Sequence, residues 1–258
     1  MSRLAAHSLD ALPEIRAGDD LAELIARAVA HDTLASALRD GQVVAIAHKA
    51  VSKAEDATVD LRTVQPSARA VDLASEQGKD PRAVQVVLDQ SSEVLRAANG
   101  VLICRTHHGF VCANAGVDTS NSGGRDGDER LIVLPRDPDA SARRIRARLH
   151  ELTGARVGVL ISDSFGRAWR HGQCDVAIGC AGVAPLEDWR GRTDSEGREL
   201  HATWLAVADA IAALADLARA KDSREPVVVI QGLERFVSDQ DGPGAAALLR
   251  PLDEDLFR

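Results

Sequence analysis

Residues 157–180, VGVLISDSFGRAWRHGQCDVAIGC, constrain this chain more than any other stretch. The run VGVLI has the length and apolar character of a buried strand. It stops at Ser162-Asp163-Ser164, which predicts a turn there, followed by Phe165-Gly166-Arg167. An acid flanked by two hydroxyls at the end of a buried strand is poorly explained by packing. A carboxylate and hydroxyls are the oxygen ligands that hard cations such as Mg²⁺ or Mn²⁺ take. Arg167, Arg170 and His171 follow closely and form a local cationic cluster suited to a phosphate or a carboxylate. The plain alternative is a solvated turn after a core strand.

The same arrangement recurs elsewhere. Leu12-Pro13-Glu14-Ile15 is a short extended segment, and Asp19 or Asp20 caps a helix over LAELIARAVAH with a stripe at Leu21, Leu24, Ile25, Ala28 and Val29. QVVAIA is a buried strand, and His48-Lys49-Ala50-Val51-Ser52-Lys53 stand just past its carboxyl end, where ligand sites of α/β proteins gather. Lys53 is a compact charge able to neutralise phosphate, although most single lysines at strand ends are simply solvated. Pro66 and Pro81 each start a helix; the first ends at Gly78, and the second is predicted to run through RAVQVVLDQSSEVLRAA to Asn99-Gly100.

VLICRT and GFVCA read as two strands around a hairpin turn at His107-His108-Gly109. Adjacent strand histidines point to opposite sides, which makes a zinc site there unfavourable. Next comes the small, polar segment 114–124, in which Asp118-Thr119-Ser120 is a second acid–hydroxyl turn after a strand. Such a loop can offer backbone N–H groups to phosphate while its acid holds a cation; Ser, Asn and Gly also favour an ordinary surface loop. RLIVLP is a strand, and Asp137-Pro138-Asp139 opens a long helix whose Arg143, Arg144, Arg146 and Arg148 read as a solvated basic face. A charged, Gly-rich loop after Cys180, an Ala-rich apolar helix over HATWLAVADAIAALADLARAK and a last buried strand, VVVIQGL, complete the pattern.

Several function classes drop out. There is no GxxxxGK[ST] loop, no GxGxxG after a strand and no GxSxG elbow. A net charge of −8 argues against coating nucleic acid, and no run approaches the ~20 apolar residues of a membrane span. The N-terminus lacks an apolar signal core, and Cys104, Cys112, Cys174 and Cys180 form no CxxC pair; both features predict a cytoplasmic protein with reduced thiols. With 258 residues, of which 45% are hydrophobic, the chain can bury a substantial core.

The ordered set HKAVSKAE (48–55), NAGVDTSN (114–121), VLPRDPDASA (133–142), ISDSFGRAWRHGQCDVAIGCAG (161–182) and ELHATWLAVADAIA (199–212) closely resembles the coenzyme F420-0:L-glutamate ligase (F420-0:gamma-glutamyl ligase) family. The resemblance runs from about residue 10 to the C-terminus. It implies a mixed-sheet α/β (α+β) fold, an intertwined homodimer, and a single ligase domain over 1–258 without the nitroreductase-like extension of some relatives. It implies an enzyme that uses GTP to add L-glutamate to coenzyme F420-0 through an amide bond, with Mg²⁺ or Mn²⁺ at two sites and K⁺ as a stimulating ion. Carried over by position, Asp118 and Asp163 become ligands of the first metal and Ser164 a ligand of the second. Lys53, Asn121 and Leu12, Pro13, Glu14 and Ile15 fall where the family contacts the nucleotide. His48 stands where relatives often have serine, and residues 219–222 lack a glycine that relatives carry. Asp118, Asp163 and Lys53 are accordingly the expected catalytic set, and His48 joins the nucleotide-binding set.

Read as chemistry, a carboxylate becomes reactive towards an amine only once its oxygen is a leaving group, which an acyl phosphate supplies. The alternatives are a related metal- and nucleotide-dependent amino-acid ligase acting on another phosphorylated carboxylate, a metal-dependent phosphohydrolase, and a non-catalytic binder of nucleotide or deazaflavin.

Overall fold

β-Branched runs with no polar interruption can be buried on both faces, and three such runs build the centre of this protein. The computed structural model describes residues 3–10, 12–32, 36–118, 129–220 and 222–255. In chain order the elements are β1 (Ala5–Ser8), α1 (Leu21–His31), β2 (Val43–Ala47), α2 (His48–Ala54), β3 (Thr58–Asp60), α3 (Ala68–Gln77), α4 (Pro81–Asp89), β4 (Ser91–Ala98), β5 (Val101–Thr106), β6 (Val111–Ala113) and β7 (Arg130–Ile132). They continue with α5 (Pro138–Thr153), β8 (Gly158–Arg167), β9 (Arg170–Ala181), β10 (Leu186–Asp188), β11 (Trp204–Ala206), α6 (Val207–Ala218) and β12 (Val227–Gln231). The protein is mixed α/β, as expected.

The main sheet has the order β1-β12-β2-β8-β9. β2 and β8 are parallel, with Ala47 opposite Ser162, and every other pairing is antiparallel. β1, β2 and β8 therefore run the same way, and β12 and β9 run against them. One face packs Val44, Ile46, Val159, Ile161 and Ile178 against α1 and α5. The other packs Val43, Ala45, Leu160, Val228 and Ile230 against α6. A separate three-stranded sheet, β4-β5-β6, buries Leu102 and Cys104 against α3 and α4. Among the described residues, no helix is long and apolar enough to cross a membrane.

Several local readings are borne out. Asp20 caps α1 by accepting from the Glu23 amide at 3.0 Å, and Asp137 caps α5. The histidine hairpin between β5 and β6 stands as read.

Four readings are corrected. The expected turn at Ser162-Asp163-Ser164 lies inside β8, because β9 keeps pairing beyond the apolar core: Asp163 is opposite Val176, Ser164 opposite Asp175 and Phe165 opposite Cys174. The expected helix over 82–98 stops at Asp89, and the rest is β4, which gains the β5 ladder that an exposed helical turn would lack. The apolar helix starts at Val207 rather than His201, since Trp204–Ala206 pairs with β10. The basic face of α5 is also not simply solvated. The Arg146 side chain is 13% exposed and donates to the carbonyls of Val157 and Ser238 and to Asp241, while Arg144 pairs with Glu55 and Arg148 with Asp20.

Candidate active site

The strand directions decide where the polar residues meet. The carboxyl ends of β1, β2 and β8 and the amino ends of β12 and β9 lie at one end of the main sheet, and the hydrogen bonds Leu9 N to Val227 O (2.9 Å) and Ala47 N to Pro226 O (2.8 Å) close it. Four separate segments converge there: 12–15 after β1, the first turns of α2 after β2, the middle of β8, and the described residues 219–220 and 222–226 before β12. Helix α2 follows β2 without a loop, so its first residues stand directly over the neighbouring strand.

Each basic side chain of α2 meets an acid from elsewhere in the chain. His48 is 2% exposed and its Nε2 lies 3.3 Å from Asp163 Oδ1, outside hydrogen-bonding geometry, while its Nδ1 is 3.4 Å from the Ser52 hydroxyl. Lys49 Nζ is 2.5 Å from Asp118 Oδ2, and Lys53 Nζ donates to Glu14 Oε1 at 2.6 Å. Asp118 reaches this edge through β7: its N–H and C=O exchange hydrogen bonds with Ile132, each 2.9 Å, and Ile132 pairs with Thr58 of β3.

Alternation along β8 separates the two candidate metal ligands that are adjacent in sequence. Asp163 faces the α1/α5 side, where its Oδ1 also accepts the Ser164 amide at 2.8 Å. The Ser164 hydroxyl faces the other side and donates to Asp175 Oδ1 at 2.5 Å. Asp175 is 1% exposed and also accepts from the Ser162 hydroxyl at 2.8 Å and from the Arg219 guanidinium. Behind Asp163 sits Cys112; its thiol is pushed up to about 12, first by burial and then by the negative charge of Asp163.

These placements bring Glu14, His48, Lys53, Asp118, Asp163 and Ser164 to one edge of the sheet together with Leu12, Pro13 and Ile15. Asn121, with Thr119 and Ser120, lies outside the described residues. Arg167, Arg170 and His171 sit further out, near the tip of the β8–β9 hairpin, where all three are exposed.

Sequence reasoning passed over Lys49 and Asp175. Lys49 was legible as the neighbour of His48 past a strand end. Asp175 had a signal too: in RHGQCDVAIGCA it is in phase with the buried Ala177, which marks an inward-facing acid once β9 is recognised as a strand.

Asp118, Asp163 and Ser164 offer only oxygen donors, which suits Mg²⁺ or Mn²⁺, and the Lys49 ammonium at Asp118 shows that this position accepts positive charge. No group of three or more His, Cys, Asp or Glu able to hold a metal occurs among the described residues. A cation here would complete its shell with water and phosphate oxygens, as Mg²⁺ usually does.

The profile of the F420-0:Gamma-glutamyl ligase family matches residues 11–232. The chain is 42% identical over 252 residues to the protein named Coenzyme F420:L-glutamate ligase of Methanothermobacter thermautotrophicus, covering 97% of each. It is 44% identical over 247 residues to the protein of the same name from Methanopyrus kandleri, covering 95% of this chain and 94% of the other. The Halobacterium salinarum protein of that name is 42% identical over 260 residues, covering 98% and 95%. With a profile spanning most of its length and relatives above 40% identity end to end, the chain belongs to the F420-0:gamma-glutamyl ligase family.

Proposed function

We propose that the protein is a GTP-dependent ligase that joins L-glutamate to coenzyme F420-0 by an amide bond in F420 biosynthesis. The observation that carries this reading is the gathering of Lys49–Asp118, Lys53–Glu14 and His48–Asp163 at one end of the sheet, in a member of this family. A carboxylate oxygen of F420-0 attacks the γ-phosphorus of GTP, the bond to GDP breaks, and an acyl phosphate forms. The glutamate amine then attacks the acyl carbon, a C–N bond forms, the C–O bond to phosphate breaks, and phosphate leaves with the proton the amine gives up. No protein nucleophile is needed, so the work is positioning and charge compensation.

Lys53 exchanges Glu14 for a phosphate oxygen, and residues 12–15 and Asn121 hold the nucleotide. Asp118 and Asp163 hold one Mg²⁺ or Mn²⁺, and Ser164 contributes to a second. When bound, these ions offset the negative charge of the triphosphate, and K⁺ adds to that function. Lys49 pairs with Asp118 and would give way to a divalent ion there. The active form is a homodimer.

The test is a mass-spectrometric endpoint assay with F420-0, L-glutamate, GTP and Mn²⁺. A product heavier by one or more glutamyl units with matching GDP supports the ligase. GTP hydrolysis without acceptor selects a phosphohydrolase, and binding without turnover selects a non-catalytic protein. Asp118→Asn is expected to lose most activity, on the order of 100-fold or more, with unchanged circular dichroism. Retained activity with normal metal dependence would remove Asp118 from the site.

A further inference from the structure

A serine hydroxyl has one proton to give and lone pairs to offer, and its partners decide which of the two an incoming ligand meets. Ser164 Oγ gives its proton to Asp175 Oδ1 at 2.5 Å. The other carboxylate oxygen, Oδ2, is held by the Ser162 hydroxyl at 2.8 Å and by Arg219, whose Nη2 also donates to Ser162 Oγ at 3.0 Å. Arg219 Nη1 in turn donates to the Pro226 carbonyl at 3.2 Å, just before β12. The guanidinium thus fixes which way the buried carboxylate faces, and the carboxylate fixes which way the hydroxyl proton points.

We propose, on the reading of Ser164 as a cation ligand given above, that Asp175 is a positioning residue, oriented by Arg219, which commits the Ser164 oxygen to present lone pairs rather than a proton to the site. With its proton committed, Ser164 Oγ suits a divalent cation and is a poor partner for a phosphate oxygen. Asp175 acts through Ser164 and touches neither substrate nor ion.

The arrangement makes Asp175→Asn an unusually informative change. Arg219 and Ser162 both donate to the Oδ2 position, which favours the asparagine carbonyl on their side. Its NH2 then faces Ser164, which becomes the acceptor and turns its own proton towards the site. The side chain keeps its shape and the polarity of Ser164 reverses.

The experiment measures Mn²⁺ binding by electron paramagnetic resonance with GTP present and no acceptor, so that nothing turns over. Outer partners of metal ligands typically contribute 10- to 100-fold in affinity, and Asp175→Asn is expected to weaken Mn²⁺ binding by about that factor. Ser164→Ala should weaken it similarly, and the double variant should be no worse than Ser164→Ala alone. A purely structural role would lower the melting midpoint and leave Mn²⁺ affinity unchanged. Wild-type-like Mn²⁺ binding in Asp175→Asn, or losses that add in full in the double variant, would overturn the role of Asp175 while leaving Ser164 a ligand. Unchanged binding in Ser164→Ala, or no Mn²⁺ held by the wild type beyond what GTP itself holds, would overturn the cation reading and the role of Asp175 with it. Should Asp175→Asn not fold, Arg219→Lys keeps the charge but cannot span Asp175 and Pro226 together. A several-fold loss of Mn²⁺ affinity is expected there, and an affinity within twofold of wild type overturns the orienting role.

Discussion

Cys112 and Cys180 show how strongly single residues are governed by what surrounds them. Both thiols are buried, and burial pushes each up to about 12 from an ordinary value near 9. Cys104 is raised for the same reason, while Cys174 is only partly buried. At pH 8 a thiol-specific chromogenic reagent is expected to react with at most one thiol in the folded protein, that of Cys174, and with all four after denaturation. Two or more reactive thiols in the native protein would contradict this burial. The sign of the linked stability follows: the folded state holds these protons more tightly, so their contribution is complete below pH 9 and is lost as pH rises from about 9 to 12. Legibility at this scale was uneven. Asp118 and Asp163 stood out as acids close behind apolar runs, whereas Lys53 was singled out by the resemblance to the family, a lone lysine past a strand being most simply solvated. Asp175 was not, because its meaning depends on a strand partner, Ser164, eleven residues away, and on Arg219.

At the scale of elements, the first turn of α5 is the joint between sheet and tail. Asp139 accepts from Cys180 N at 2.8 Å, Ala245 N at 2.7 Å and Ala246 N at 3.2 Å. Gly179 lets the turn come this close, since a Cβ there would lie 2.5 Å from the Pro138 carbonyl carbon. Gly244 has φ +81° and would place a Cβ 2.3 Å from the Asp139 carboxyl carbon. Asp139→Ala is expected to cost about 2–4 kcal/mol in urea denaturation, because it leaves buried amides without their charged acceptor. Gly244→Ala should cost about 1–3 kcal/mol through backbone strain and displacement of that same carboxylate. Since both act on one carboxylate, the double variant should lose clearly less than the sum, and full additivity would separate them. Elements were legible where pattern and punctuation agreed, as in α1, β2, α5 and β12. They failed where punctuation was missing: nothing between Arg82 and Ala98 breaks a helix locally, and only pairing with β5 makes 91–98 a strand.

At the scale of the molecule, the site exists only because strands distant in sequence run in particular directions. Apolar runs alone do not reveal that β2 pairs parallel with β8 or that β12 enters between β1 and β2; the resemblance to the family supplied the expectation of a mixed sheet. A site assembled from segments distant in sequence couples ligand binding to global stability. Mn²⁺ with GTP at about 100 times their dissociation constant should add about 2.7 kcal/mol, raising the melting midpoint by about 5–10 °C. Asp118→Asn should abolish most of that gain. An equal shift in wild type and variant would place the binding elsewhere.

The order β1-β12-β2 also bears on how the protein is made. During synthesis β1 and β2 emerge early, yet the strand that belongs between them is Val227–Gln231, which leaves the ribosome only after β8, β9 and α6 have been translated. Until then β2 presents an unpaired apolar edge, and residues 12–15 lack the β1–β12 pairing that brings them to Lys53. A nascent chain of this architecture completes its candidate site only once β12 pairs, and a chain stalled before residue 227 would leave an open strand edge of the kind that chaperones shield.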